Sequence, residues 1–508
     1  MGVPPMNLAR NLERSAFFFP ERPAVSEGSS QMSYAQLNEK ANQIATALTG
    51  MGIQPGEHVG LCAPNSGDWL AFYFGVLKAG AVAVAFSSLL KKDELELLLG
   101  HARPSVLFAT DEKLEDLKGL RGAGGVETVI SPGGDLDLRR LVEQGRGAFE
   151  AVDRDRTDTA VILYTGGTTG IPKGVMLSHE NVNAAIHTVV FNERSTPEDR
   201  ALCFLPFNHV FGQMHIMNAT ILSAGCLELI PSFDLEKVLD LMAAAWVTKF
   251  YAVPTVYVRF LSLEALKEKL GAVRYCFSAA ASMAAEVVRQ WKERTGIAIY
   301  EGYGMTEAAP TVTYNHYFRH VVGSVGTEVP GVEIQIRDKE GNRKKQGEEG
   351  EICARGPNIM KGYLNNPEGT KAAFWEGGWF RSGDIGVIDD QGYLYIVDRL
   401  KDMIITGGEN VYPKEVEEVL FTREEVEECA VIGLPDPEWG ERVTAFIIPR
   451  PGKVFDKNAL HSYLKSRLSP FKVPKEYRVV ADLPKSPAGK ILKRELRKVA
   501  MEASKEES

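Results

Sequence analysis

The chain of 508 residues is 44% hydrophobic, 25% charged and 9% aromatic, a globular composition that excludes a single small module, a disordered or collagen-like chain and a disulfide scaffold. Lys plus Arg number 58 against 67 Asp plus Glu, and the resulting formal charge of −9 argues against nucleic acid as a partner. The six cysteines, Cys62, Cys203, Cys226, Cys276, Cys353 and Cys429, form no CxxC pair and have no His at metal spacing, which argues against a zinc site and fits a reducing cytoplasm.

At roughly 150 residues per domain the length allows about three or four units, or two unequal lobes. The first residues carry Arg10, Glu13 and Arg14 without a continuous apolar stretch. The longest apolar run, residues 79–86, is far below the ~20 residues of a membrane span, so neither a targeting segment nor a transmembrane helix is expected. From Tyr34 the apolar positions Leu37, Ala41, Ile44, Ala45 and Leu48 recur at helical spacing. A strand at 58–62, a helix at 69–77, a strand at 81–86, a helix at 94–99 and a strand at 105–109 follow, the alternation of parallel βαβ units. Residues 112–158 have weak periodicity and read as a variable surface region before a strand at 160–164.

From about residue 323 the texture changes to short alternating runs with turns: 332–337, Glu340-Gly341-Asn342, 350–353, Asp390-Gln391-Gly392 and 393–397. This predicts a small β-rich unit. After Asp398 come a helix at 413–420, strands at 430–434 and 442–449, a helix at 460–468 and a basic tail, which together form a separate lobe of about 110 residues. The charged stretch Asp398-Arg399-Leu400-Lys401-Asp402 reads as a solvated linker between the two.

The segment Tyr164-Thr165-Gly166-Gly167-Thr168-Thr169-Gly170-Ile171-Pro172-Lys173-Gly174 follows an apolar strand and precedes a helix opening near Ser178. Its glycines can turn backbone N–H groups toward one point, its threonines add hydroxyl donors and Lys173 adds a compact charge, the parts of a polyphosphate cradle. It is neither a Walker A loop nor GxGxxG. Composition alone leaves a Gly/Thr-rich surface loop equally open.

These residues resemble the adenylate-forming (AMP-binding) superfamily of acyl-CoA synthetases, beetle luciferases and peptide-synthetase adenylation domains, whose loop reads Tyr-Thr-Ser-Gly-Thr-Thr-Gly-x-Pro-Lys-Gly. Gly166 stands where the family has Ser, so one hydroxyl contact is missing. Further motifs agree in the family's order: Leu205-Pro206-Phe207-Asn208-His209-Val210-Phe211-Gly212, Ser278-Ala279-Ala280-Ala281-Ser282-Met283, Glu301-Gly302-Tyr303-Gly304-Met305-Thr306-Glu307, Trp379-Phe380-Arg381-Ser382-Gly383-Asp384, Asp398 through Asn410, and Pro484 through Leu492 with Lys490. The resemblance covers about residues 10 to 495. It implies an α/β protein with an N-terminal domain 1–397 of mixed parallel-sheet subdomains plus the β-rich unit. A hinge at 398–402 and a mobile α+β C-terminal domain 403–508 would follow.

The same resemblance implies an AMP-forming acyl-CoA synthetase that uses ATP, Mg²⁺ and coenzyme A. Thr165, Gly166, Gly167, Thr168, Thr169, Gly170 and Lys173 would hold phosphates; Ala280, Ala281, Glu301, Gly302 and Tyr303 would flank adenine. Thr306 would reach the α-phosphate, Glu307 would hold Mg²⁺, Asp384 and Arg399 would bind ribose, and Lys490 would be the catalytic lysine. His209 would lie near the reacting carboxylate, and Phe211, Met214, Ala252, Val253, Ala280, Ala281, Gly304 and Ala308 would wall the acyl pocket. Gly407 and Gly408 would border pantetheine, and Lys401 would be the hinge residue. On its own His209 reads as a core histidine, and most terminal cationic side chains, Lys485, Lys493, Arg494 and Lys498 among them, read as solvated charge. The apolar pocket residues point to a hydrophobic monocarboxylate, aromatic, alicyclic or medium-chain aliphatic. Transfer to a carrier protein's pantetheine in trans and an inactive nucleotide-binding protein are the alternatives, and the oligomeric state, monomer or homodimer, is open. Ile405 is apolar where luciferases and plant coumarate ligases of this family have a lysine, which disfavours luciferase-like oxidation.

Overall fold

The computed structural model describes residues 6–119, 125–145, 147–165, 172–244, 246–399, 402–486 and 489–506. Among these the strands form four sheets. The seven-stranded sheet runs Gly362–Tyr363, Lys173–Ser178, Thr159–Thr165, Val82–Ala85, His58–Cys62, Val106–Ala109, Thr128–Ile130, parallel from Thr159–Thr165 onward. The nine-stranded sheet places Ile299–Gly304, Tyr275–Ser278, Lys249–Ala252, Arg200–Cys203, Cys226–Leu229 and Pro23–Glu27 side by side in parallel, with antiparallel strands at both edges.

The predicted early helix is Tyr34–Gly50. It starts in a capping box between Ser33 and Gln36 and buries Leu37, Ala41, Ile44, Ala45 and Leu48 on one face. The next helix, Gly67–Lys78, is capped by Ser66 and buried on every side, which explains its almost continuous apolar sequence. One apolar core joins both large sheets, containing for example Leu37, Phe72, Val161, Phe250 and Ile299.

Two stretches depart from expectation. Region 112–158 is more ordered than its weak periodicity suggested: Thr128–Ile130 extends the sheet beside Val106–Ala109, and Leu138–Gln144 is a helix capped by Asp137 that buries Leu138 and Leu141. After the glycine-rich segment the chain first returns as the strand Lys173–Ser178, antiparallel to Thr159–Thr165, before the helix His179–Asn192 opens on its Ser178 cap.

The β-rich unit is a five-stranded antiparallel sheet of Glu333–Arg337, Gly350–Arg355, Trp379–Ile388, Phe374–Trp375 and Leu394–Arg399. A second five-stranded sheet begins at Ile404–Thr406 and carries its own core around Val416, Leu420, Val431, Ala445 and Leu460. The basic tail is the helix Lys493–Glu506.

Within the charged junction Asp398 is not solvated as expected. Asp398 is buried and accepts from the Lys414 backbone N–H at 2.9 Å, while the Lys414 ammonium donates to the Ile396 carbonyl at 2.7 Å. Two lysines read as solvated are ion-paired instead: Lys493 with Glu417 at 2.8 Å and Lys485 with Glu428 at 2.7 Å. Burial disfavours the Lys493 ammonium, but Glu417 and Asp398 outweigh it and hold its pKa above the usual lysine value. No helix among the described residues is long and apolar enough to cross a membrane.

Candidate active site

A cavity of about 750 Å³ opens where the parallel strands of the nine-stranded sheet end, the crevice position of α/β sheets. Ala279 and Ala280 line it just beyond Tyr275–Ser278, and Gly302, Tyr303 and Gly304 line it from the end of Ile299–Gly304. His209, Val210 and Phe211 follow Arg200–Cys203 in the chain. The β-rich sheet supplies Ser382, Gly383, Asp384 and Arg399, and the small domain supplies Lys490. Residues far apart in sequence therefore meet in one space.

Thr165 and Lys173 are register partners in their hairpin and both line the cavity, so the two ends of the glycine-rich loop meet at its wall. Gly166, Gly167, Thr168, Thr169 and Gly170 lie outside the described residues, as does the proposed hinge Lys401. The Lys173 ammonium stands 4.6 Å from the Tyr363 ring centroid. The Tyr363 hydroxyl donates to Glu307 Oε1 at 3.0 Å, and Glu307 and Thr306 occupy the short turn Thr306–Ala308. Burial raises the Glu307 pKa above the usual glutamate value, with Lys173 and Tyr363 pulling the other way.

Asp384 Oδ2 accepts from the Tyr303 hydroxyl at 2.7 Å, and its Oδ1 lies 3.4 Å from Arg399 Nε. His209 Nδ1 accepts from the Phe211 backbone N–H at 3.2 Å, which leaves Nε2 to carry the proton of a neutral ring. Burial, reinforced by the Lys490 charge, lowers the His209 pKa to about 4, so the ring is uncharged at neutral pH. The Lys490 loop docks on the large domain. The Thr255 hydroxyl donates to the Gly489 carbonyl at 3.2 Å, and Gly489, at φ +81°, sits so close that a Cβ there would lie 2.9 Å from Val253 Cγ2.

Gly304 permits the closest backbone approach in the site, because a Cβ there would fall 1.6 Å from the Pro310 carbonyl oxygen. That oxygen accepts from the Met305 N–H at 2.9 Å and so sets the turn that carries Thr306 and Glu307. Gly304→Ala is expected to shift this turn at a cost of about 2 kcal/mol or more and to lower kcat/KM at least about tenfold. Wild-type pyrophosphate release from the variant would refute the reading.

Several predicted site residues do not line the cavity. Met214 is fully buried in the core, Ala308 is enclosed behind Glu307, and Ala252 and Val253 are buried, with Val253 against Gly489. Ala281 lies beyond the lining Ala280. Glu301 is buried away from the cavity, its Oε2 without a hydrogen-bond partner among the described residues. Burial raises its pKa to about 8 against the pull of Lys414. Gly407 and Gly408 form the turn between Ile404–Thr406 and Glu409–Val411, where Gly407 faces Trp439 and Gly408 faces open space.

Conversely, the cavity includes His215, Phe277, Tyr363 and Arg381, which sequence reasoning missed. His215 follows Phe211 by four residues on one helix, and Phe277 directly precedes Ser278; those spacings were the available signals.

The family model described as AMP-binding enzyme matches residues 12–364, and that described as AMP-binding enzyme C-terminal domain matches 415–490. A feruloyl-CoA synthase from Amycolatopsis sp is 36% identical over 495 residues, covering 96% of this chain and 97% of the relative. A long-chain-fatty-acid–CoA ligase from Bacillus subtilis is 33% identical, covering 97% and 94%. The structure of the anthranilate CoA ligase AuaEII in complex with anthranoyl-AMP superposes with a TM-score of 0.94 at 30% identity, covering 99% of each chain. ATP-bound MatB from Rhodopseudomonas palustris gives 0.91 at 35% identity, covering 97% and 99%. Lys490 of the small domain sharing one cavity with Thr165 and Lys173, an Asp384–Tyr303 pair and a buried Glu307, together with both family matches, make this chain a member of the AMP-binding enzyme family, and within it an AMP-forming carboxylate–CoA ligase.

Proposed function

We propose that the enzyme activates a hydrophobic monocarboxylate in two half-reactions served by two positions of the small domain. The observation that carries this reading is that Lys490, from the small domain, lines the same cavity as Lys173, Glu307 and Asp384.

In the first half-reaction a carboxylate oxygen attacks the α-phosphorus of ATP, the bond to pyrophosphate breaks and an acyl-adenylate remains. An anion must approach a polyanion, so positioned cations and donors supply the catalysis: Lys490 at the reacting oxygens and Lys173 with Thr165 at the end of the phosphate loop. Asp384 and Arg399 orient the ribose, and neutral His209, with its Nε2 proton, can donate to the carboxylate. Glu307 suits Mg²⁺: it is a buried carboxylate on the cavity wall, and a cation shared with phosphate oxygens offsets the burial that raises its pKa. Bound there, Mg²⁺ would neutralise phosphate charge.

In the second half-reaction the CoA thiol attacks the acyl carbon and AMP leaves. Lys490 covers the cavity in the closed arrangement, so we assign a rotation of the domain 403–508 about 398–402, with Lys401 as hinge and the Gly407-Gly408 turn facing pantetheine. The apolar end of the cavity, with Phe211, Phe277, Ala280 and Pro310, favours a hydrophobic acid. Relatives named for feruloyl-CoA and for long-chain fatty acids support that breadth. All six cysteines are free and buried, which suits the reducing cytoplasm we assign as its compartment.

A screen of hydrophobic acids for ATP-dependent pyrophosphate release tests this. Release is expected to depend on the acid and to turn over repeatedly only when CoA is present. No acid-dependent release overturns the adenylation reading. Release with acyl transfer only to a holo-carrier protein overturns CoA as acceptor.

A further inference from the structure

The far wall of the acyl end is polar in one place. His215, on the π-helical segment Phe211–Asn218, lines the cavity, and its Nε2 lies 2.9 Å from Glu193 Oε1. The Glu193 carboxylate also accepts from Tyr314 at 2.6 Å, from Lys249 at 3.0 Å and from Tyr251. A carboxylate can only accept, so the proton between them belongs to Nε2. With the proton on Nε2 the ring can accept at Nδ1, and no hydrogen bond reaches that atom from the described residues. The surrounding charges balance without the imidazole: Glu193 and Asp199 stand against Lys249 and Arg274.

A buried acceptor facing a ligand space without a protein partner costs free energy unless the ligand supplies a donor. The approach to His215 is aromatic. Its ring stacks on Phe277 at 4.4 Å between centroids and meets the edge of Phe211 at 5.2 Å, and both of those rings line the cavity, so an acid reaching His215 passes aromatic surface. His215 lies six positions after His209, on the π-helical segment that follows it, so the donor belongs at the end of the acid remote from its carboxyl group.

We infer that His215 is a specificity-determining residue: its Nδ1 accepts a hydrogen bond from a hydroxyl at the distal end of the acid, and the preferred substrates are arylalkenoic or arylalkanoic monocarboxylates carrying that hydroxyl. The inference rests on the adenylation reading above and narrows its acid. Glu193 acts through His215, fixing which nitrogen is the acceptor.

The test compares kcat/KM for pyrophosphate release with para-hydroxycinnamate, cinnamate and para-methylcinnamate, the methyl group being close in size to hydroxyl. The wild-type enzyme is expected to favour the hydroxylated acid by about tenfold to 100-fold over both analogues. His215→Phe, which keeps the ring and removes the acceptor, is expected to reduce that ratio to about threefold or less or to invert it. The wild-type ratio needs no variant to fold. Measurable turnover of all three acids with a wild-type ratio below about threefold overturns the assignment while leaving adenylation intact, as does a His215→Phe enzyme that retains the full preference. No release with any of the three, where other hydrophobic acids are activated, also overturns it, whereas no release with any acid overturns the adenylation reading beneath it.

Discussion

Lys490→Ala is expected to lower acyl-adenylate formation by about 10²- to 10³-fold while leaving the conversion of supplied acyl-adenylate and CoA to thioester within a few-fold of wild type. The ammonium lines the cavity together with Lys173 and His209, and its charge is felt strongly enough to help keep the buried His209 neutral. Charge accumulates on the α-phosphorus oxygens only while pyrophosphate leaves. Thioester formation involves no new phosphate charge, and in the rotated arrangement the Lys490 loop is withdrawn. The check is to measure both half-reactions separately, pyrophosphate release by the first and AMP release from supplied acyl-adenylate by the second. Equal loss in both would mean that one arrangement serves both steps. The Thr255–Gly489 hydrogen bond and the contact of Gly489 with Val253 hold the Lys490 loop to the large domain, so the proposed rotation would have to break them.

The parallel sheets were legible from sequence because their strands are short apolar runs alternating with amphipathic helices, and the predicted strands at 58–62, 81–86 and 105–109 all fall in one sheet. The small domain was legible for the same reason. The strand Lys173–Ser178 was not, since its partner is the strand on the other side of the glycine-rich loop and nothing local marks the pairing. Side-chain environment was the least legible feature. Glu301 sits in the same short motif as Tyr303 and Glu307 yet does not line the cavity, because it lies two residues further back along the strand and is buried there. Asp398 and Lys493 looked solvated because their partners, Lys414 and Glu417, belong to other segments of the small domain. The acyl floor was hidden for the same reason: Glu193, His215, Lys249 and Tyr314 are scattered over more than a hundred residues and meet only after two helices have packed on the nine-stranded sheet. Motif residues whose roles depend on backbone turns were readable; groups whose state depends on a distant charge were not.

That buried cluster carries the second large effect. Glu193→Gln is expected to destabilise the large domain by about 3 kcal/mol at neutral pH. The amide keeps one acceptor oxygen, but the Lys249 ammonium, almost fully buried, is left with Ser195 at 2.6 Å and Asp199 at 3.5 Å, and the new NH₂ group meets donors. Burial alone would push the Glu193 carboxyl up; the Lys249 charge and the hydrogen bonds donated by His215 and Tyr251 overcome it and bring its pKa from 4.5 down to about 2. A shift of that size corresponds to ~3 kcal/mol by linkage, in line with the cost of breaking a buried pair. Because the folded-state value is depressed, this stabilisation is complete above about pH 5 and disappears as the pH falls toward 2. The gap between wild-type and variant melting temperatures should therefore be widest near pH 7, roughly 5 °C or more, and should narrow steadily between pH 5 and pH 3. A gap that stays constant over that range would show that the carboxylate's charge contributes nothing and that shape alone holds the floor together. Lys249→Met should cost a similar amount, and combining it with Glu193→Gln should cost less than the two added, because each single change strands the other's partner in a dry interior.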